Sequence, residues 1–198
     1  MQSDRTSLRN KLTALASTQS GYFTSAQAKA LGYSYSQQNF HTARGNWIRV
    51  ERGLYRLPHW PIGPHDDLVR VSLWSRERAV VSHESAAAVH GLGEIDPLRI
   101  HVTVPPGFRG RHPGIVLHYG TIDPAEIEPH TGFRVTNPLR TIIDVANSAT
   151  DLDQLGRALH SAVERHLVTL RNLRARAEQI DVRAALNIER ALLEETTR

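Results

Sequence analysis

Eleven histidines and no cysteine raise the first question of chemistry. His83 and His90 are seven residues apart, so one helix face would carry both, and His101 and His118 fall in β-type runs. A zinc site needs three or four such ligands converging at about 2 Å from the metal. The chain contains no His-Glu-x-x-His pair and no thiolate. These histidines therefore read as scattered polar or capping groups, and no metal or other cofactor is expected. The lack of cysteine also excludes disulfides. No Gly-x-x-x-x-Gly-Lys-Ser/Thr loop is present to cradle a nucleotide phosphate. Acidic residues of the last third, such as Glu164, Glu178 and Glu189, are dispersed rather than grouped to hold Mg²⁺. Arg140 and Asp144, four apart, read as a structural pair on one helix face. No catalytic set follows, and an enzyme is not expected.

A different chemistry is available near the N-terminus. Gln37 and Gln38 each carry an amide that can pair with adenine N6 and N7, and Tyr35 and His41 lie beside them. Ser34 and Ser36 can donate to phosphate, and Thr24 and Ser25 open a segment whose helix N–H groups would attract an anion. Arg44, Arg49, Arg52 and Arg56 follow as a basic set. Residues 1–57 hold eight basic residues against Asp4 and Glu51, a balance of +6, whereas the whole chain carries +4. The remainder is therefore net −2. A basic head on a mildly acidic body suits a polyanion-binding module joined to a second domain.

These side chains need elements to position them. Leu8, Leu12 and Leu15 recur at helical spacing in a first helix running to about Ser17. Thr24, with Gln27 three residues on, has the spacing of a capping box and starts a second helix that Gly32 ends. Ser36 is read as the cap of a third helix, about Gln37 to Arg44, stopped by Gly45. Trp47 to Val50 alternates as a strand, Glu51-Arg52-Gly53 turns, and Leu54 to Leu57 returns. Three helices followed by a hairpin are the parts of a winged helix-turn-helix, with the third helix in the major groove and the arginine-bearing wing along the backbone. Phe40, Ala43, Trp47 and Tyr55 are expected to form its small core. Such a module binds double-stranded DNA with limited affinity, so a dimer on paired sites is expected.

Pro58 to Pro64 reads as a linker, dividing the chain into a winged helix-turn-helix domain over 1–60 and an α+β domain over 61–198. In the second part, Asp66 to Ser75 and Ser82 to Val89 look helical, and Arg99 to Val104, Ile115 to Tyr119 and Phe133 to Thr136 look like strands. Asn137-Pro138 has the composition of a helix start, leading to a helix through Ala146. Further helices follow over about 152–165, 170–179 and 182–195. The expected fold class is α+β, with a small sheet and a helical C-terminus. No apolar run approaches the ~18–20 residues of a membrane helix, and no apolar leader opens the chain. A cytoplasmic protein with no membrane partner is expected.

With these residues in view, the chain resembles the AbiEi family of antitoxins. Gly45-Asn46-Trp47-Ile48-Arg49-Val50-Glu51-Arg52-Gly53-Leu54-Tyr55-Arg56-Leu57-Pro58 is similar to the family's wing. Gly21-Tyr22-Phe23-Thr24 with Gln27-Ala28 is similar to its second-helix entry. Further on, Ser82-His83-Glu84-Ser85-Ala86-Ala87 through Leu92, His101-Val102-Thr103-Val104-Pro105 and Val135 through Ala146 resemble blocks of the family's body, in order. The resemblance implies an antitoxin that represses its own operon at operator DNA, paired with a nucleotidyltransferase-type toxin that it need not bind stably. Many relatives carry arginines in the third helix where this chain has Gln37, Gln38 and Asn39, so no operator sequence transfers. The alternative is a protein-interaction module, which under the resemblance would sequester the toxin with no specific DNA binding.

Overall fold

The computed structural model describes residues 2–148 and 150–196. Its contacts divide the chain into two units, one of residues 1–78 with His130–Phe133, the other of Ala79–Pro129 with Arg134–Arg198. The segment 61–78 thus groups with the N-terminal elements.

The first unit runs α1 (Gln2–Ser17), β1 (Tyr22–Thr24), α2 (Ser25–Leu31), α3 (Tyr35–Ala43), β2 (Ile48–Glu51), β3 (Leu54–Arg56) and α4 (Asp66–Trp74). Local chemistry accounts for most of the boundaries. The Thr24 hydroxyl accepts from Gln27 N, and the Gln27 side chain accepts from Thr24 N, which completes the expected capping box. Gly32 closes α2 at φ 114, a backbone that costs a residue with a Cβ. The start of α3 differs from the sequence reading. Ser34, not Ser36, is its N-cap, because Ser34 finds a glutamine at the third helical position, Gln37, to complete a second capping box.

β1 was not expected from the sequence. Its three residues are too few to show alternation, yet they pair antiparallel with β3 in a sheet ordered β1-β3-β2. Phe23 and Arg49 both flank Tyr55 in this register. Phe23 thereby enters a core of Leu12, Ala16, Ala28, Tyr33, Trp47 and Tyr55. Its ring meets Trp47 edge-on at 4.9 Å and stacks on Tyr55 at 5.8 Å. Phe40, expected in this core, is instead exposed on the outer face of α3.

The second unit contains β4 (Val80–Val81), α5 (His83–His90), β5 (Ile100–Val104), β6 (Ile115–Tyr119), a 3₁₀ turn (Pro124–Glu126), β7 (Ile127–His130), β8 (Phe133–Thr136) and the helices α6 (Pro138–Ala146), α7 (Leu152–Glu164), α8 (Leu170–Ile180) and α9 (Val182–Thr196). The tip of the β7–β8 hairpin belongs to the first unit. Strand order is β6-β5-β4-β8-β7, with β4 antiparallel to β5, and with β4–β8 and β5–β6 parallel. As the sequence predicts, Asn137 caps α6 by accepting from Arg140 N, and Pro138 sits at its first turn. Ala87, Leu92, Ile142, Ile143, Leu155, Leu159, Leu173 and Ile188 bring α5 and the four C-terminal helices into one apolar core. The whole is the α+β architecture expected. Among the described residues, no helix is long and apolar enough to cross a membrane.

Candidate nucleic-acid interface

The nine residues of α3 divide sharply between the two sides of the helix. Gln38 faces inward and is 1% exposed. Its amide oxygen accepts from Ser25 Oγ at 2.6 Å, and its Nε2 donates to the carbonyls of Ser25 and Tyr33, each at 3.2 Å. Gln38 therefore clamps α3 to the start of α2, and Ser25 is consumed in the same clamp. Neither side chain is presented to a ligand, which corrects the reading of Gln38 as a base reader. The hydrophobic pattern gave no warning, because an amide satisfied on both sides behaves as core.

The remaining candidates also sort by placement. Thr24 and Ser34 serve as N-caps, and Gln37 closes the Ser34 box, so the Gln37 oxygen is already an acceptor. His41 is half-buried and its ring stacks on Trp47 at 4.9 Å. Burial lowers its pKa from the ordinary imidazole value. Arg56 turns inward: its guanidinium donates to the carbonyls of Trp60 at 2.7 Å and Pro61 at 3.0 Å, lies 3.7 Å from Asp66, and covers the Tyr22 ring. It ties β3 to the segment before α4 and is not a free cation for phosphate.

Tyr35, Ser36, Arg44, Arg49 and Arg52 remain exposed, joined by Asn39 and Phe40. Lys29 lies over the Tyr35 ring at 5.1 Å, and Arg44 over the Phe40 ring at 5.5 Å. Arg49 is on β2 and Arg52 in the turn, where Gly53 takes φ 77. Arg44, Arg49 and Arg52 form no ion pair among the described residues. The one acid of this hairpin, Glu51, is neutralised by Arg70 of α4, which also bridges Asp67. The hairpin is left cationic, its turn held at the start of α2 by Ser25 N donating to the Gly53 carbonyl. Asn39 and Phe40 were missed as candidates because a nine-residue helix with few apolar positions does not declare which side it buries.

The second unit carries its own polar set, and three of the histidines are not scattered. His83 stacks on His118 with ring centroids 3.4 Å apart, and His118 Nε2 lies 3.3 Å from His101 Nδ1. His101 Nδ1 is also 2.6 Å from Glu84 Oε2. His90 stands apart, donating from Nε2 to the Thr136 carbonyl. His83 Nδ1 and Ser82 Oγ are 2.9 Å apart, and Ser82 Oγ accepts from Thr103. Burial, with His118 beside it, holds His83 down to about 3, and burial also lowers His118. Glu84 is held well below the usual carboxylate range. Burial alone would raise it, but donation from His101, Ser148 and Thr150 outweighs this. No group of three or more His, Cys, Asp or Glu among the described residues could hold a metal ion.

Neutral buried imidazoles imply a sign for pH dependence. His83 binds a proton more weakly folded than unfolded, so its contribution is present above about 6.5 and is lost as pH falls towards 3. His118 acts in the same direction. Asp144, raised to about 6 by burial, opposes them, because it gains stability as pH falls from 6 towards its unfolded value. A net loss of about 1 kcal/mol is expected between pH 7 and pH 5. Urea unfolding of the full chain at the two pH values checks this. A midpoint that is equal or higher at pH 5 would contradict the neutral histidine stack.

Three helices, the second bracing the third, with an antiparallel hairpin returning beside them, define a winged helix-turn-helix, the module of many transcriptional regulators. Residues 10–58 match the family described as "Transcriptional regulator, AbiEi antitoxin", and residues 79–195 match the "AbiEi antitoxin C-terminal domain". The chain belongs to the AbiEi antitoxin family. It is thus an antitoxin with a transcriptional-regulator domain. No curated protein matches it. Among solved structures it resembles the RV2827C protein from Mycobacterium tuberculosis, with a TM-score of 0.61 at 14% identity, over 91% of this chain and 75% of that one. That likeness is one of fold.

Proposed function

We propose that this antitoxin represses its own operon by binding double-stranded operator DNA through the winged helix, in the cytoplasm, as a dimer on paired sites. It acts by binding rather than catalysis, against a toxin of the nucleotidyltransferase type. The observation that carries the DNA reading is the exposed set Arg44, Arg49 and Arg52, in no ion pair among the described residues, with Arg44 against the Phe40 ring on the outer face of α3. Free cations on a helix end and a wing are placed to neutralise phosphates on either side of a groove. Arg56 is left out of this set, because its guanidinium is occupied inside the unit. The toxin class rests on family membership.

A mobility shift on the chain's own upstream DNA, at two salt concentrations and against a scrambled duplex, tests the proposal. The doublet Arg49→Ala with Arg52→Ala is expected to weaken operator binding about tenfold or more at low salt. It should also flatten the salt dependence by roughly two phosphate contacts. Equal retention of operator and scrambled duplex would leave only non-specific attraction. Weight would then move to toxin neutralisation by protein contact.

A further inference from the structure

We infer that α3 reads A·T base pairs in the major groove, with the Asn39 amide on adenine and the Phe40 ring against a thymine methyl. This rests on the DNA-binding reading above and deepens it to the base class recognised. Ser36, Asn39, Phe40 and Ala43 are spaced i, i+3, i+4 and i+7, and all four are exposed, opposite the buried Gln38. Bidentate pairing with adenine needs an amide oxygen to accept from N6 and an amide nitrogen to donate to N7. Gln38 has both atoms occupied in the α2–α3 clamp, and Gln37 has its oxygen occupied by Ser34 N at 2.7 Å. Asn39 has its whole amide free of partners among the described residues and points from the middle of the exposed stripe.

Phe40 is 54% exposed. An exposed aromatic ring with Arg44 over it is unfavourable in water and suits a polyanion that presents an apolar group. In duplex DNA the thymine C5-methyl is that group, and it lies on the major-groove edge. Ser36 and Ala43, small residues above and below the ring, leave room for close approach to base edges.

The test selects duplexes from a randomised pool with the full chain. Affinity for the selected duplex is then compared with that for the same duplex carrying uracil in place of thymine. The second duplex differs only by the lost methyl groups. Wild type is expected to select A·T pairs and to bind the uracil duplex about fourfold more weakly for each contacted methyl. Phe40→Ala should bind the two duplexes equally while keeping the salt slope, and Gln37→Ala should keep the wild-type difference. Asn39→Ala should lose preference for adenine at one position by roughly five- to hundredfold. Thermal unfolding checks that each variant is folded, as expected for exposed positions. Specific binding with no A·T preference, or a thymine–uracil difference that survives Phe40→Ala, would overturn this inference and leave DNA binding intact. Failure of wild type to retain any duplex over the pool would overturn both.

Discussion

Gly21→Ala is expected to destabilise the first unit by about 3–4 kcal/mol, a large share of a small domain's stability. Two costs add. Gly21 takes φ +79, a left-handed backbone that disfavours any residue with a Cβ. A Cβ built there would also lie 2.2 Å from Trp60 Cγ and 2.5 Å from Trp60 Cβ. Rotation could move Cγ, but Cβ is fixed by the backbone, so no rotamer of Trp60 removes the clash. The backbone is not free to shift either. Gly21 N donates to the Ala16 carbonyl, and its own carbonyl accepts from Leu57 N. This joins the end of α1 to the exit of β3, and the Trp60 ring covers the joint. Gly45→Ala supplies the contrast: φ is +71 there, but the Cβ meets nothing within 4 Å. Only the backbone cost of about 1 kcal/mol remains. Denaturant unfolding of the two variants measures the difference. If Gly45→Ala cost as much as Gly21→Ala, the packing of Trp60 would not be the cause.

Arg140→Ala should destabilise the second unit by about 3–5 kcal/mol at neutral pH. Arg140 Nε donates to Asp144 Oδ1 and its Nη1 to Glu126 Oε2, each at 2.8 Å, and all three side chains are largely buried. Removing the cation leaves Asp144 buried without a partner, with its second oxygen already lacking a hydrogen bond. Burial has raised Asp144 to about 6 even against the arginine's attraction. Without Arg140 it would rise further, and the carboxyl would take up a proton more readily. The penalty should therefore shrink as pH falls from 7.5 to 5, a signature that a simple packing loss would not give. Arg176→Ala removes a more exposed partner of Glu126 and should cost much less, because Arg140 still pairs with both carboxylates. Unfolding of the three proteins at both pH values separates these outcomes.

The features that the sequence foretold are those set by neighbours along the chain. The Thr24–Gln27 box, the Gly32 stop, the Asn137–Pro138 start and the Arg140–Asp144 pair each join residues no more than four apart. Their chemistry is complete before any long-range contact forms. Ser34 and Gln37 obey the same rule, and the choice of Ser36 as cap overlooked a glutamine at the right spacing. The basic balance of residues 1–57 and the order of the family blocks were likewise visible without coordinates.

Glu126 joined Arg140 and Arg176 from 14 and 50 residues away, and His83, His101 and His118 gathered from three elements. Neither group has a local signature. Residue type alone pointed the wrong way for the binding face. Gln38 and Arg56 are polar and were expected outside, whereas Phe40 is aromatic and was expected inside. The sequence by itself determined most of the helices, the caps set by near neighbours and a cationic N-terminal module. Which side of α3 faces outward was decided only when α2, Tyr33 and Trp47 closed against it. A nine-residue helix with two good apolar positions has no dominant stripe, so the partners that satisfy Gln38 set its rotation.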